Sequence, residues 1–200
     1  MFMSPTDADL KQHIHAERTR LADLLAGLRD EDWGRPSLCE GWRVREVVAH
    51  ITMPFRINPL RFLPGLIGAG FSFNRYADRT ARKDTARLSD AELLASLRAN
   101  ITHDWRPPGG GYAGALSHDT IHGLDITEPL GLPSPPVERL ALVLAATNAR
   151  SLSHFGIDLT GVQLRATDAD VRLGDGEPID LPAKDILLAI SGRRPFPQAA

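Results

Sequence analysis

The chain of 200 residues has one cysteine, Cys39, so no internal disulfide can form and a disulfide-stapled scaffold is excluded. Scarce cysteine fits a reducing compartment. The N-terminal stretch MFMSPTDADLKQ has no cationic start leading into an apolar run, as a secretory leader would, and a cytoplasmic protein is expected. No apolar run reaches the roughly 20 residues that a membrane-spanning helix needs. Neither sign of charge is in excess: 23 Lys and Arg stand against 25 Asp and Glu, net −2, and they are interspersed. A nucleic-acid footprint and a polybasic stretch for anionic lipid are both missing, so neither nucleic acid nor membrane is expected as a partner.

What is there is helical periodicity. Leu10, Ile14, Leu21, Leu24, Leu25 and Leu28 recur at helical spacing behind the capping candidates Ser4, Thr6 and Asp7. Glu17 falls inside that stripe, and a carboxylate there needs a partner. Val44, Val48, Ile51 and Phe55 form a second stripe with His50 on its shoulder, ending in the region of Pro54 to Pro59. Residues 59–76 are apolar but broken by Pro64 and glycines, which suits a loop or short helices covering a pocket, with a membrane-facing patch as the rarer alternative. Ser89 opens a shorter helix, followed by the breaker run RPPGGG. A further helix is expected from about Gly111 to Glu128. One last long helix is expected from Pro135 and Pro136 through Leu140, Val143, Leu144, Thr147, Ser151 and Phe155. The tail alternates apolar and polar residues around a GDG turn, as two or three short strands would, and closes with a short helix between Pro182 and Gly192. The expected fold is mainly α: a helical bundle over residues 1–157 with a small α/β appendage over 158–200.

His118, His122 and Asp125 stand at i, i+4 and i+7, which places them on one helix face. Two imidazoles at that spacing can converge on one metal ion but supply only two ligands. The third must come from another helix, and His50, His154, Glu17 and His13 are the candidates. HDTIH is not the metalloprotease motif, because Asp119 replaces the glutamate and no downstream ligand motif follows. Cys39 has no evident base beside it and reads as structural.

The segment DWGRPSLCEGWRVREVVAHI (Asp32 to Ile51) resembles the N-terminal signature of the mycothiol-dependent maleylpyruvate isomerase family, with its Pro-x-x-Cys-x-Gly-Trp turn and Val-Ala-His helix. IHGLDITEPLGLP resembles the second family signature, a His-x-x-Asp before a Pro-Leu-Gly turn, and DILLAISGRR the C-terminal helix with its Gly-Arg ending. The family is similar to the wider DinB-like group, which implies a four-helix bundle holding a divalent metal, zinc first and nickel second. By that resemblance the metal ligands fall on His50, His118 and His122. His118 stands where the isomerase type has a glutamate and where three histidines are usual in the wider group. Asp125 is then placed behind His122 in the second ligand shell, with Glu17 as another such partner, and His154 as a further candidate ligand. Arg193 or Arg194 is expected at the substrate or thiol.

The resemblance implies an enzyme in which mycothiol, activated as a thiolate by the metal, attacks a small electrophile, as a transferase or an isomerase, in a monomer or homodimer. No residue points to maleylpyruvate itself. The alternative is a non-catalytic, metal-containing protein that binds a ligand or partner, with a peptidase a distant third.

Overall fold

The computed structural model describes residues 5–57 and 59–197. Ser4, one of the three capping candidates, lies outside them. Among the described residues the chain is mainly helical with a small C-terminal α/β appendage. Helices α1 (Asp7–Ala26), α2 (Asp30–Trp33) and α3 (Val44–Arg56) come first. They are followed by α4 (Pro59–Gly68), α5 (Phe73–Thr85), α6 (Asp90–Ala99) and α7 (Gly111–Leu130). Then come α8 (Val137–Ala145), α9 (Ala149–His154), β1 (Thr160–Ala166), β2 (Arg172–Leu173), β3 (Asp175–Leu181) and α10 (Ala183–Ile190).

Local chemistry sets the helix starts. Thr6 and Asp9 form a reciprocal capping box at α1, and Ser89 and Glu92 do the same at α6, each satisfying backbone N–H groups that have no partner inside the helix. Helix α7 ends at Gly131, whose φ of 65° is a left-handed conformation that glycine adopts without a steric penalty, and Leu132 N–H closes back on Thr127 O at 2.9 Å.

Helix α1 packs on α6 and α7, and α3 packs on the same two helices. Leu21, Leu25, Val44, Val47, Val48, Ile51, Leu93, Leu97 and Ile126 fill the space between them. A second apolar cluster joins Leu10, Ile14, Leu116 and Leu124 of α1 and α7 to Leu140 and Leu144 of α8, Leu164 of β1, and Ile186 and Leu187 of α10. Burying one such leucine or isoleucine contributes about 1.5–3 kcal/mol, and this cluster ties the appendage to the helices. The sheet order is β2-β1-β3, with β1 antiparallel to β2 and parallel to β3. The GDG motif lets the chain pass from one side of β1 to the other: a side chain at Gly174 would meet Val162 O at 2.3 Å.

One expectation is corrected. The long last helix is broken into α8 and α9, because Asn148 takes an extended conformation and its side chain accepts hydrogen bonds from Arg150 and Ser151 N–H, starting a new helix. Residues 59–76 take the short-helix form of the two that were expected: α4 fills Pro59–Gly68, and α5 begins at Phe73 behind the cap of Ser72.

Candidate functional site

Helix α7 carries His118, Asp119, His122 and Asp125, and α3 brings His50 against them. His50 Nε2 lies 3.3 Å from His118 Nε2, and the ligand atoms of His50, His118 and His122 all lie within 4.8 Å of one another. Nitrogens held about 2.0–2.1 Å from one tetrahedral ion stand about 3.3–3.4 Å apart, so the spacing of the first two imidazoles fits a divalent cation.

Two histidines are oriented in the same way. His118 Nδ1 is 2.9 Å from Asp119 Oδ1, and His122 Nδ1 is 2.8 Å from Asp125 Oδ2. An ionised carboxylate only accepts, so each Nδ1 carries the proton and each Nε2 is left with its lone pair. Behind each carboxylate stands an arginine. Arg18 Nε donates to Asp119 Oδ2 at 2.7 Å, while Arg193 donates to both oxygens of Asp125 at 2.9 Å. Burial raises both carboxyls, yet the hydrogen bonds from histidine and arginine prevail and hold Asp119 and Asp125 below the ordinary carboxylate value. Burial, aided by His122 and His118, holds His50 well below the ordinary imidazole value. His122 is lowered too, burial outweighing the bond to Asp125. His50 and His122 are therefore neutral imidazoles near pH 7, the form that binds metal.

Cys39, read from sequence as structural, lies in this site. Its Sγ donates to Asp125 Oδ2 at 3.0 Å and stands 3.8 Å from His122 Nδ1. Burial and then the charge of Asp125 push its thiol up to about 12, so it is a protonated donor and not a nucleophile. Cys39, His122 and Asp125 also lie close enough to form a ligand group. The Arg193 guanidinium on Asp125 makes that corner hostile to a second cation.

The three histidines open on a cavity of about 1000 Å³, the upper end of the range for small-molecule sites. Trp42, Phe73, Pro107, Ile121, Phe155 and Ile190 are among its largely apolar walls. Arg193 lines it, with its fork turned to Asp125, and His154 lines it from α9, exposed and outside the histidine group. Arg194 stands apart, paired with Glu128 at 3.0 Å and with Asp185. Glu17 is fully buried, but its carboxylate takes bonds from Arg20 and Arg139, not from a histidine. Arg18 and Asp119 were not read as site residues. The signal for Arg18 was its place between Ile14 and Leu21 on the apolar stripe of α1, where an arginine must have a buried acceptor.

A bundle of helices that gathers three histidines at the wall of a cavity, with a carboxylate and an arginine behind two of them, defines the class: a mainly α protein with a candidate metal centre. Residues 14–104 match the family model described as the mycothiol maleylpyruvate isomerase N-terminal domain. The matched segment contains Cys39 and His50. No curated protein matches the chain. The crystal structure of the mycothiol-dependent maleylpyruvate isomerase shares its fold, with a TM-score of 0.63 and 15% identity over 97% of this chain and 93% of that one. A histidine-to-alanine mutant of that enzyme gives a TM-score of 0.64 at 14% identity, with the same coverage.

Proposed function

We propose that the chain is a divalent-metal-dependent enzyme that uses a low-molecular-weight thiol, mycothiol, as a transferase or isomerase of a small electrophile. The observation that carries this reading is the set of three histidine nitrogens within 4.8 Å at the wall of a cavity of about 1000 Å³. His50, His118 and His122 would hold the cation, and three neutral ligands leave it a further position. A divalent cation held there supplies the positive charge that keeps a cosubstrate thiol deprotonated near neutral pH.

The chain's own residues then have distinct tasks. Asp119 and Asp125 keep the Nδ1 protons of His118 and His122 in place, which keeps both Nε2 lone pairs available. Arg18 and Arg193 keep those carboxylates ionised. Trp42, Phe155 and Ile190 give the cavity apolar walls against which the carbon skeleton of an electrophile would pack. Addition of the sulfur to an electrophilic double bond makes a C–S bond and turns the double bond into a rotatable single one. Breaking the C–S bond again expels the thiolate and re-forms the double bond in the isomer, whereas uptake of a proton from solvent by the carbanionic carbon gives a thioether.

The test combines metal analysis of the purified protein with titration of its cobalt-substituted form by mycothiol. About one metal per chain, lost in His118→Ala and His122→Ala, is expected, together with a sulfur-to-cobalt absorption band as thiol is added. A protein without bound divalent metal, or one that keeps it in both variants, overturns the site. A metal spectrum that thiol leaves unchanged favours the non-catalytic binding protein, and a screen of electrophiles with mycothiol then has nothing to detect.

A further inference from the structure

The exposed large apolar side chains are concentrated on one short segment. Leu60, Leu63, Ile67, Phe71 and Phe73 are 48–86% exposed and lie on α4, on the turn after it and at the start of α5. Single exposed leucines are ordinary on a soluble protein, but five large groups on one hairpin form a patch. The hairpin is built to present them. Gly65 of α4 lies against the Tyr76 ring of α5, where a side chain's Cβ would be only 2.7 Å from the ring. The inner face of α4 is thus closed on α5 by Phe62 and Tyr76, whose ring centroids are 5.3 Å apart.

Phe71 supplies an independent sign. Among the described residues it is the sole non-glycine with positive φ, at 58°, and it is 72% exposed. A bulky residue pays conformationally for that geometry, and here the ring gains no burial in return. The local sequence is also one-sided in charge. Between Glu46 and Asp78 there is no acidic residue, while Arg56, Arg61 and Arg75 lie in the interval and Arg79 follows one residue after Asp78. Arg75 and Arg79 are exposed beside the patch.

We infer that the α4–α5 hairpin docks on an anionic lipid surface, with Leu63, Ile67 and Phe71 entering the apolar layer and Arg75 and Arg79 meeting the headgroups. Apolar anchors flanked by arginines are the chemistry that a bilayer with negative headgroups recognises. A second copy of the chain is the less suited occupant, because a two-fold contact would bring the patch against itself and set the arginines of both copies near one another. The mode is peripheral: no helix among the described residues is long and apolar enough to cross a membrane. Overall charge gives no sign of such a surface, since a net charge of −2 conceals an acid-free cationic stretch. Phe73, Asn74, Ala77 and Asp78 of α5 line the cavity, so docking would set one wall of the pocket next to the lipid.

The inference is independent of the metal and the thiol, and its test uses neither. The full chain is co-sedimented with vesicles of pure phosphatidylcholine and with vesicles containing phosphatidylglycerol, at low and high salt, and its oligomeric state is measured at the same concentration. Binding to the anionic vesicles at least tenfold above the neutral ones, weakened by salt, is expected from a monomer. Ile67→Ser should cut binding tenfold or more. Phe71→Gly separates docking from folding, because glycine relieves the positive φ: its unfolding midpoint should rise by about 2–4 °C while vesicle binding falls. Absence of binding to anionic vesicles, equal binding to neutral ones, unchanged binding by Phe71→Gly, or a dimer that Ile67→Ser dissociates would each overturn the inference.

Discussion

Asp119 and Asp125 each sit between a histidine and an arginine, and their burial makes both relays sensitive to single changes. The side chains of Arg18 and Asp119 are 1% and 2% exposed, so neither charge is relieved by water when its partner is removed. Arg18→Met leaves an ionised carboxylate beside His118 alone, and a destabilisation of about 3–5 kcal/mol is expected in urea unfolding. Asp119→Asn keeps the shape but weakens the hold on the Nδ1 proton of His118, and metal affinity measured by chelator competition should fall about 10- to 100-fold.

The neutral histidines also set a pH dependence for the metal-free protein. His50 and His122 are held below the ordinary imidazole value when folded. As pH falls below about 6.5, the unfolded chain takes up protons at these positions and the folded chain does not, so stability falls until the pH passes the folded-state values. Urea midpoints at pH 7.5 and 5.5 should therefore differ, and His50→Leu should narrow the difference.

Helix α7 shows how an element does more than carry the two histidines. Pro129 lies inside its last turn and has no N–H, so the carbonyl of Asp125, four residues earlier, lacks its helical donor. Leu38 N–H donates to that carbonyl instead, at 3.0 Å, and Arg35 donates to the carbonyl of Pro129 at 3.1 Å. The turn bearing Cys39 is thus pinned to Asp125 through the backbone by Leu38 and through the side chain by Cys39. Pro129→Ala restores a helical donor and competes for the same oxygen. Hydrogen exchange at Leu38 should quicken several-fold, without loss of helical content by circular dichroism.

The i, i+4, i+7 spacing of His118, His122 and Asp125 was legible because it depends only on helix geometry, and His50 was legible from its place on the stripe of α3. Asp119, adjacent to His118 in sequence, points to another side of the helix, and only the arginine of α1 reveals what it does. The break between α8 and α9 was hidden because Thr147, Ser151 and Phe155 keep helical spacing across Asn148. Whether that asparagine caps a helix or rides inside one is decided by tertiary packing.

At the scale of the whole molecule, the C-terminal segment is part of the same core and the same site. Leu164, Ile186, Leu187, Leu188 and Ile190 share one apolar cluster with Leu10, Ile14, Leu116, Leu140 and Val143, and Arg193 reaches from beyond α10 to Asp125. The order β2-β1-β3 was not legible from alternation alone, since the parallel pairing of β1 with β3 depends on the passage at Gly174. A chain ending at residue 157 would uncover Leu10, Ile14 and Leu140 and remove the cation behind Asp125. Cooperative unfolding should be lost in that truncated chain, with apolar-dye binding at neutral pH. A smaller change probes the same coupling in the full chain: Ile186→Ala should cost about 2–5 kcal/mol. Because the two halves share one core, that loss should appear as a single shifted transition by both tryptophan fluorescence and circular dichroism. Two separate transitions would mean that the appendage folds apart from the helices.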